Sequence, residues 1–348
     1  MLAHTSLREF LKISSHSRHK IGIVSLGADL SIFRRGFPFC PPLRTVLTQF
    51  YVAFKAAVKA FKMRHDHDHI IFLEYFDQYQ IFTLPLLLPV RKKLFFLMNH
   101  NQQRASVSPV HRFFFSLFSS CPFRFLQMEL DPSAPRFPSL PPQKRLIVPH
   151  PVSIDEAEFS FIMKTRSQNT RRLRIGITGK IRKGKDLLFL VHRLSADIER
   201  TGLPVDLTIG LQSSSRAFSS LKQEGYHVQR TDRREEYLKC LASIDISIQW
   251  FEKEHYFVRP SGTIMDAACS GCYVLCPDYP LLSHQVTWPT ALGSTFHGYE
   301  DLFPNLIRVL ENFSPPERSK IDTYRKNRDA RTIARLFDDF IEKHQGPD

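Results

Sequence analysis

The sequence predicts an α/β protein built as two successive domains, each a doubly wound parallel sheet. Three observations lead there. Short apolar runs recur along the chain, flanked by polar residues and too brief to be independent helices, which suits buried parallel strands. Stretches with helical spacing separate them, as βαβ units require. The pattern breaks once, in a polar stretch near the middle, and then begins again. The 348 residues also exceed the ~250–300 that one hydrophobic core usually serves.

In the first half, KIGIVSL (Lys20 to Leu26) opens as a strand and ends on a turn at Gly27. A proline-rich loop through FPFCPP leads to LRTVLTQFYVAFKAAVKAFK. Its residues Leu43, Val46, Leu47, Phe50, Phe54, Ala57, Val58 and Phe61 fall at helical spacing and predict one wide apolar face. Lys55, Lys59 and Lys62 sit largely off that face. HIIFLEYF (His69 to Phe76), KKLFFLMNH (Lys92 to His100), FRFLQM (Phe123 to Met128) and KRLIVPHP (Lys144 to Pro151) read as further strands. Ser153 to Arg172, containing RSQNTRR, is polar and reads as the interdomain linker and hinge. Beyond it, LRIGITG (Leu173 to Gly179), LPVDLTIG (Leu203 to Gly210), YHVQR (Tyr226 to Arg230), IDISIQW (Ile244 to Trp250) and CYVLCP (Cys272 to Pro277) continue the strand series. From Pro315 onward the chain is charged and helical in pattern. The expected domains are residues 1–165, 166–320 and a helical segment 321–348.

Composition narrows the function. The net charge of +14 favours an anionic partner. The basic residues are spread rather than collected into a tail, so no nucleic-acid role is expected. Of six cysteines, three lie together in CSGCYVLC, with no second pair to complete a zinc site. Cys272 and Cys276 bracket an apolar run and are expected to pack there as small, reduced thiols. The N-terminal residues lack the apolar core of a signal peptide, and no run approaches the ~20 apolar residues of a membrane span. A cytoplasmic protein is expected, with the inner face of the membrane as an alternative station. HRFFFSLFSSCPFRF (His111 to Phe125) suits either a core helix or a membrane-surface patch. In RHDHDHII, His65, His67 and His69 would share a face of an extended strand, but they precede it at its amino end, and a polar strand start is the preferred reading over a metal site.

Two segments carry chemistry. In IGITGKIRKGKDLL (Ile175 to Leu188) a strand ends at Thr178 and Gly179, and a loop follows with Lys180, Arg182, Lys183 and Lys185. Ligands of open α/β sheets bind beyond the carboxyl ends of the strands, and cations there can neutralise a diphosphate. In YFVRPSGTIMDAACSGCYVLCP (Tyr256 to Pro277), a helix is expected to start at Ser261-Gly262-Thr263, presenting N–H groups to phosphate. Ser261 is equally a helix cap, and Asp266, about one turn inside, is equally a surface acid. Gly271 should end the helix.

Together these segments resemble the GT-B glycosyltransferases, specifically the retaining family numbered four. GKIRKGKD matches that family's G-basic-x-x-KG loop in shortened form, and VRPSGTIMDAACSGCYVL stands in register with EGFGLPLLEAMACGCPVV. Tyr256, Arg259, Ser261 and Gly262 look like the Y-x-x-R-x-SG version of some branches, and YLKCLASIDISIQWF resembles the helix and strand between. The resemblance spans Arg174 to about Gln285 and implies two Rossmann-like domains facing across a cleft. It implies a nucleotide-sugar donor held by Gly179, Lys180, Arg182, Lys183, Arg259, Ser261, Gly262, Thr263 and Asp266, with His100 and Lys183 as the catalytic residues. It implies no metal and no cofactor, and an acceptor that is a glycan, a lipid-linked molecule or a protein, with peripheral membrane contact suiting a lipid-linked one. His150 is expected to be structural. The family's two glutamates are Val258 and Asp266 here, with Glu252 and Glu254 out of register. Val258 motivates an alternative, a catalytically silent GT-B-like binding protein. A sugar-nucleotide epimerase is a third reading, whose usual cleft acids and histidines are not found.

Overall fold

The computed structural model describes residues 2–25, 41–73, 75–98, 101–129, 140–167, 172–179, 181 and 184–344. They form two compact units: 1–151 with 328–348, and 152–327.

In the first unit, strands β1 (Ile21–Val24), β2 (His69–Phe72), β3 (Leu94–Met98), β4 (Arg124–Met128) and β5 (Arg145–Val148) pair in parallel in that order. Side chains alternate between the faces. Ile70, Phe72, Leu94, Phe96 and Phe125 join one core with helices Pro41–Met63 and Pro109–Ser120. Ile71, Leu73, Phe95, Leu97 and Leu126 join the other. Strands that follow one another across a sheet through right-handed crossovers put their connecting helices on one face. The opposite face is covered instead by the first helix, Leu2–His16, and the last, Ala330–His344, through Phe10, Ile13, Ile333, Phe337 and Ile341. The expected separate segment 321–348 is therefore divided: residues to 327 belong to the second unit, and the last helix completes the first.

The Pro41–Met63 helix departs from expectation in its orientation. It buries the row Thr48, Val52, Ala56 and Ala60, with Ala53 and Ala57. Small side chains let its backbone lie close to the sheet. Val46, Leu47, Phe50 and Phe54, expected to face the core, are exposed. His111 to Phe125 forms the Pro109–Ser120 helix and enters β4, with Phe115 and Phe118 in the core and Phe113 outward. β2 begins at His69, a buried residue ringed by His19, Phe95 and Phe337.

The second unit holds β6 (Leu173–Thr178), β7 (Val205–Leu211), β8 (Val228–Arg230), β9 (Ile246–Ile248), β10 (Tyr273–Pro277) and β11 (Gly293–Phe296), all parallel, in the order β11-β10-β9-β6-β7-β8. Strand β11 has no counterpart in the sequence reading; only Phe296 of its four residues is buried. The expected linker is a helix, Glu156–Ser167, packed into this unit. Phe159 and Ile162 are fully buried, and Arg166 donates to the carbonyls of Ser270, Leu241 and Ile244 at 2.6–3.0 Å. A polar composition hid an arginine whose task is to satisfy helix and loop carbonyls. Cys272 and Cys276 are buried in the same core, and the five described cysteines are free thiols.

Glu129 anchors both passages of the chain on the first unit. Its carboxylate pairs with the guanidinium of Arg328, both side chains fully buried, and accepts the His150 N–H at 2.6 Å. Glu129→Ala would leave a buried arginine uncompensated. An equilibrium urea melt should show a loss of about 3–5 kcal/mol. Asp77, just beyond β2, is 4% exposed. Burial pushes its carboxyl up to about 7, although the Asn101 amide donates to it at 2.7 Å. An ordinary aspartate titrates at about 3.9. Its contribution to stability is therefore fully present below about pH 4 and lost as the pH rises to about 7. Asp77→Asn should match the wild type near pH 4 and exceed it by about 2–4 kcal/mol above pH 7. Urea melts at the two pH values check this.

Candidate functional site

Strands β6 and β9 are neighbours in the second sheet although two strands separate them in the chain. After β6 the chain builds outward on one side, and from β9 on the other. In open α/β sheets ligands bind beyond the carboxyl ends of the strands at such a reversal. Thr178 ends β6, Gln249 follows β9, and the Gly262–Cys269 helix starts beside them.

The polar side chains there form one connected group. Lys185 is 7% exposed, and its Nζ donates to Thr263 Oγ1 at 3.1 Å. The same Nζ lies 4.4 Å from the centre of the Phe251 ring. Thr263 Oγ1 donates to Gln249 Oε1 at 2.9 Å and lies 2.9 Å from Ser261 Oγ. Gln249 Nε2 donates in turn to Ser247 at 2.9 Å and Thr178 at 3.4 Å. Such a chain fixes side-chain positions in a low-dielectric setting.

Two glycines shape the loop between β6 and this group. Gly179 has φ +139°, and a Cβ there would lie 3.1 Å from Lys185 Nζ. Gly184 has φ +86°, and a Cβ there would meet the His255 Cβ at 2.4 Å. The Gly184 carbonyl also accepts the Glu252 N–H at 3.0 Å, tying the basic loop to the loop after β9.

The expected site residues are distributed as follows. Gly179, Ser261, Gly262 and Thr263 come together around Lys185 at the strand ends. The Ser261 N–H, expected to face phosphate, donates instead to Gln285 Oε1 at 2.7 Å, while the Gln285 amide returns a bond to the Ser261 carbonyl at 3.1 Å. Gly262 and Thr263 occupy the first helical turn, whose N–H groups have no acceptor inside the helix. The Arg259 guanidinium lies 4.9 Å over the ring of the buried Tyr256. Asp266 accepts from the hydroxyls of Ser153 and Tyr237, the latter at 3.0 Å, and burial raises its carboxyl above the usual range. A carboxylate has about four acceptor positions, so a ribose diol would share it with these hydroxyls. Val258 is buried and apolar. His100, Lys180, Arg182 and Lys183 lie outside the described residues. Gly271 ends the helix as expected, with the Cys272 N–H closing onto the Ala267 carbonyl at 3.1 Å.

Among the described residues, no three His, Cys, Asp or Glu side chains converge as a metal site would need. Lys185 stood in the predicted basic loop without a role of its own, and Gln249 was read as part of a strand. A polar residue closing the apolar run IDISIQW was the available signal for the second.

No protein-family model matches the sequence, and no curated protein does either. Solved structures do match. A glycosyltransferase from Rickettsia africae aligns over 99% of this chain and 95% of its own, with a TM-score of 0.59 at 11% identity. A UDP-forming trehalose-phosphate synthase from Burkholderia xenovorans aligns over 87% and 80%, at 0.59 and 11%. WaaG, a glycosyltransferase of lipopolysaccharide biosynthesis, aligns over 98% and 96%, at 0.50 and 13%. These neighbours share the same two-sheet α/β architecture. The fold is GT-B. At such identities the likeness is one of fold.

Gly184→Ala should cost about 1–3 kcal/mol in a denaturant melt, from the left-handed backbone and the collision with His255.

Proposed function

We propose that this chain is a glycosyltransferase that moves a sugar from a nucleoside-diphosphate donor to a hydroxyl-bearing acceptor. The observation that carries this is a buried lysine, Lys185, set among Gly179, Thr263 and Gln249 at the sheet reversal of the second unit. In such a transfer the bond from the anomeric carbon to a diphosphate oxygen breaks, and a bond to the acceptor oxygen forms. The acceptor gives up its proton, and negative charge grows on the departing diphosphate. Fixed cations and N–H groups aimed at that charge supply the largest electrostatic term. Lys185, together with Lys180, Arg182 and Lys183 of the same loop, Arg259, and the N–H groups of Gly262 and Thr263, would meet it without a metal. Asp266 would hold the ribose, and His100 would stand near the donor sugar. The family resemblance adds retention of configuration, a uridine or guanosine donor, and work in glycan or cell-surface polysaccharide synthesis.

A second reading has one observation in its favour. Val258, buried and apolar, stands where the resembled family has its first glutamate. A GT-B protein that binds a nucleotide sugar without transferring it would keep the diphosphate site and dispense with that acid.

The test is a thermal-shift panel of nucleoside diphosphates and nucleotide sugars on the full chain, beside Lys185→Met and Lys183→Ala. One nucleotide class should raise the melting temperature by several degrees at saturating concentration, and both variants should weaken this effect. No response to any nucleotide at millimolar concentration would sink the enzyme reading. Binding without release of nucleoside diphosphate across an acceptor panel would favour the silent binding protein.

A further inference from the structure

The Pro41–Met63 helix places its larger apolar side chains on the outside. Its alanine row faces the sheet, and Val46, Leu47, Phe50, Tyr51 and Phe54 are 39–48% exposed. Phe82, 65% exposed, brings its ring to 6.0 Å from that of Phe50 and extends the patch beyond the helix. At 100° per residue these side chains form one arc, and Lys55, Lys59 and Lys62 form an exposed ridge along its edge. The Pro109–Ser120 helix, packed in the same core and so on the same side of the sheet, repeats the arrangement. Its Phe115 and Phe118 point inward, while Val110, Phe113 and Leu117 are 46–63% exposed.

Charge selects the occupant. The Pro41–Met63 helix contains four Lys and Arg and no Asp or Glu. From Gln78 to Met128 there are six Lys and Arg and again no acid. A second copy meeting this face about a two-fold axis would bring together two basic surfaces with no helix acid to offset them, which like-charge repulsion disfavours. An anionic lipid surface offers the complementary arrangement. Phenylalanine, tyrosine and leucine enter the boundary between headgroups and acyl chains, and lysine stems reach back to the phosphates. Among the described residues no helix is long and apolar enough to cross a membrane, so such contact would be interfacial.

We propose that the outward face of the Pro41–Met63 helix, with Phe82, docks onto an anionic bilayer, and that the outward row of the Pro109–Ser120 helix widens this contact. The surface lies in the first unit and is independent of the nucleotide reading.

Co-sedimentation of the full chain with vesicles tests it, using phosphatidylcholine alone and phosphatidylcholine mixed with phosphatidylglycerol. The wild type should pellet with the mixed vesicles, weakly with the neutral ones, and less as salt rises. Phe50→Ser with Phe54→Ser, and separately Lys55→Glu with Lys59→Glu, should each lower the vesicle partition coefficient by about tenfold or more while keeping the wild-type melting temperature. Four results would overturn the proposal. One is no binding to mixed vesicles, and another is binding unchanged in both variant pairs. The third is a dimer in light scattering that the phenylalanine pair dissolves, which would assign the face to a second copy. A fall in melting temperature confined to the phenylalanine pair, with vesicle binding retained, would likewise assign the face to the chain's own interior.

Discussion

Glu129 is the residue on which the division of the chain into two units turns. It is fully buried, sits at the end of β4 with φ 53°, and holds both segments that pass between the units. One segment leaves the first unit just after His150, whose N–H it accepts, and the other returns at Arg328, whose guanidinium it neutralises. An isolated ion at that depth would cost several kcal/mol, and the pair persists because each member removes the other's penalty. The same returning segment then supplies the helix that closes the first sheet. One carboxylate thus fixes where the chain departs, where it comes back, and what covers the otherwise bare face.

The two sheets solve the problem of burial differently. In the second unit the strand order reverses between β9 and β6, the kind of position where open α/β sheets bind ligands, and helices cover both faces. Buried hydroxyl, amide and ammonium groups collect there because strand ends and a helix start bring polar groups together where no ladder can satisfy them. In the first unit the described strands run in sequence order, and the covering of one face falls to the ends of the chain. The same alternation of strand and helix in the sequence therefore produces two arrangements, distinguished by strand order alone.

Strand order is also what the sequence could not disclose. Apolar runs such as HIIF, LFFLM and VLCP announce strands because both their faces are buried, and each lies inside its expected stretch. GSTF at β11 went unread because an edge strand with one buried residue has no such signature. Residues 156–167 looked like a linker because they lead into the polar run RSQNTRR; two apolar anchors, Phe159 and Ile162, are enough to pack the helix when Arg166 satisfies the carbonyls around it. At the site, glycine and basic residues marked the stretch after β6 in the sequence, and of these Gly179 and Lys185 lie together in the structure. The partnering of Ser261 with Gln285, and of Lys185 with Thr263, links residues far apart in the chain, and no local spacing encodes it.

The interleaving of the first unit has a consequence for the order in which the protein is made. Residues 1–151 leave the ribosome well before residues 328–344, with the whole second unit synthesised in between. Until the last helix arrives, Ile71, Leu73, Phe95, Leu97 and Leu126 present one side of the sheet with only the first helix to shield it. The second unit, contiguous in sequence, can finish folding first, reversing the usual N-to-C order of domain completion. During that interval the nascent sheet is a surface for chaperones to hold or for neighbouring chains to capture, and its lifetime is set by the translation of about 180 intervening residues.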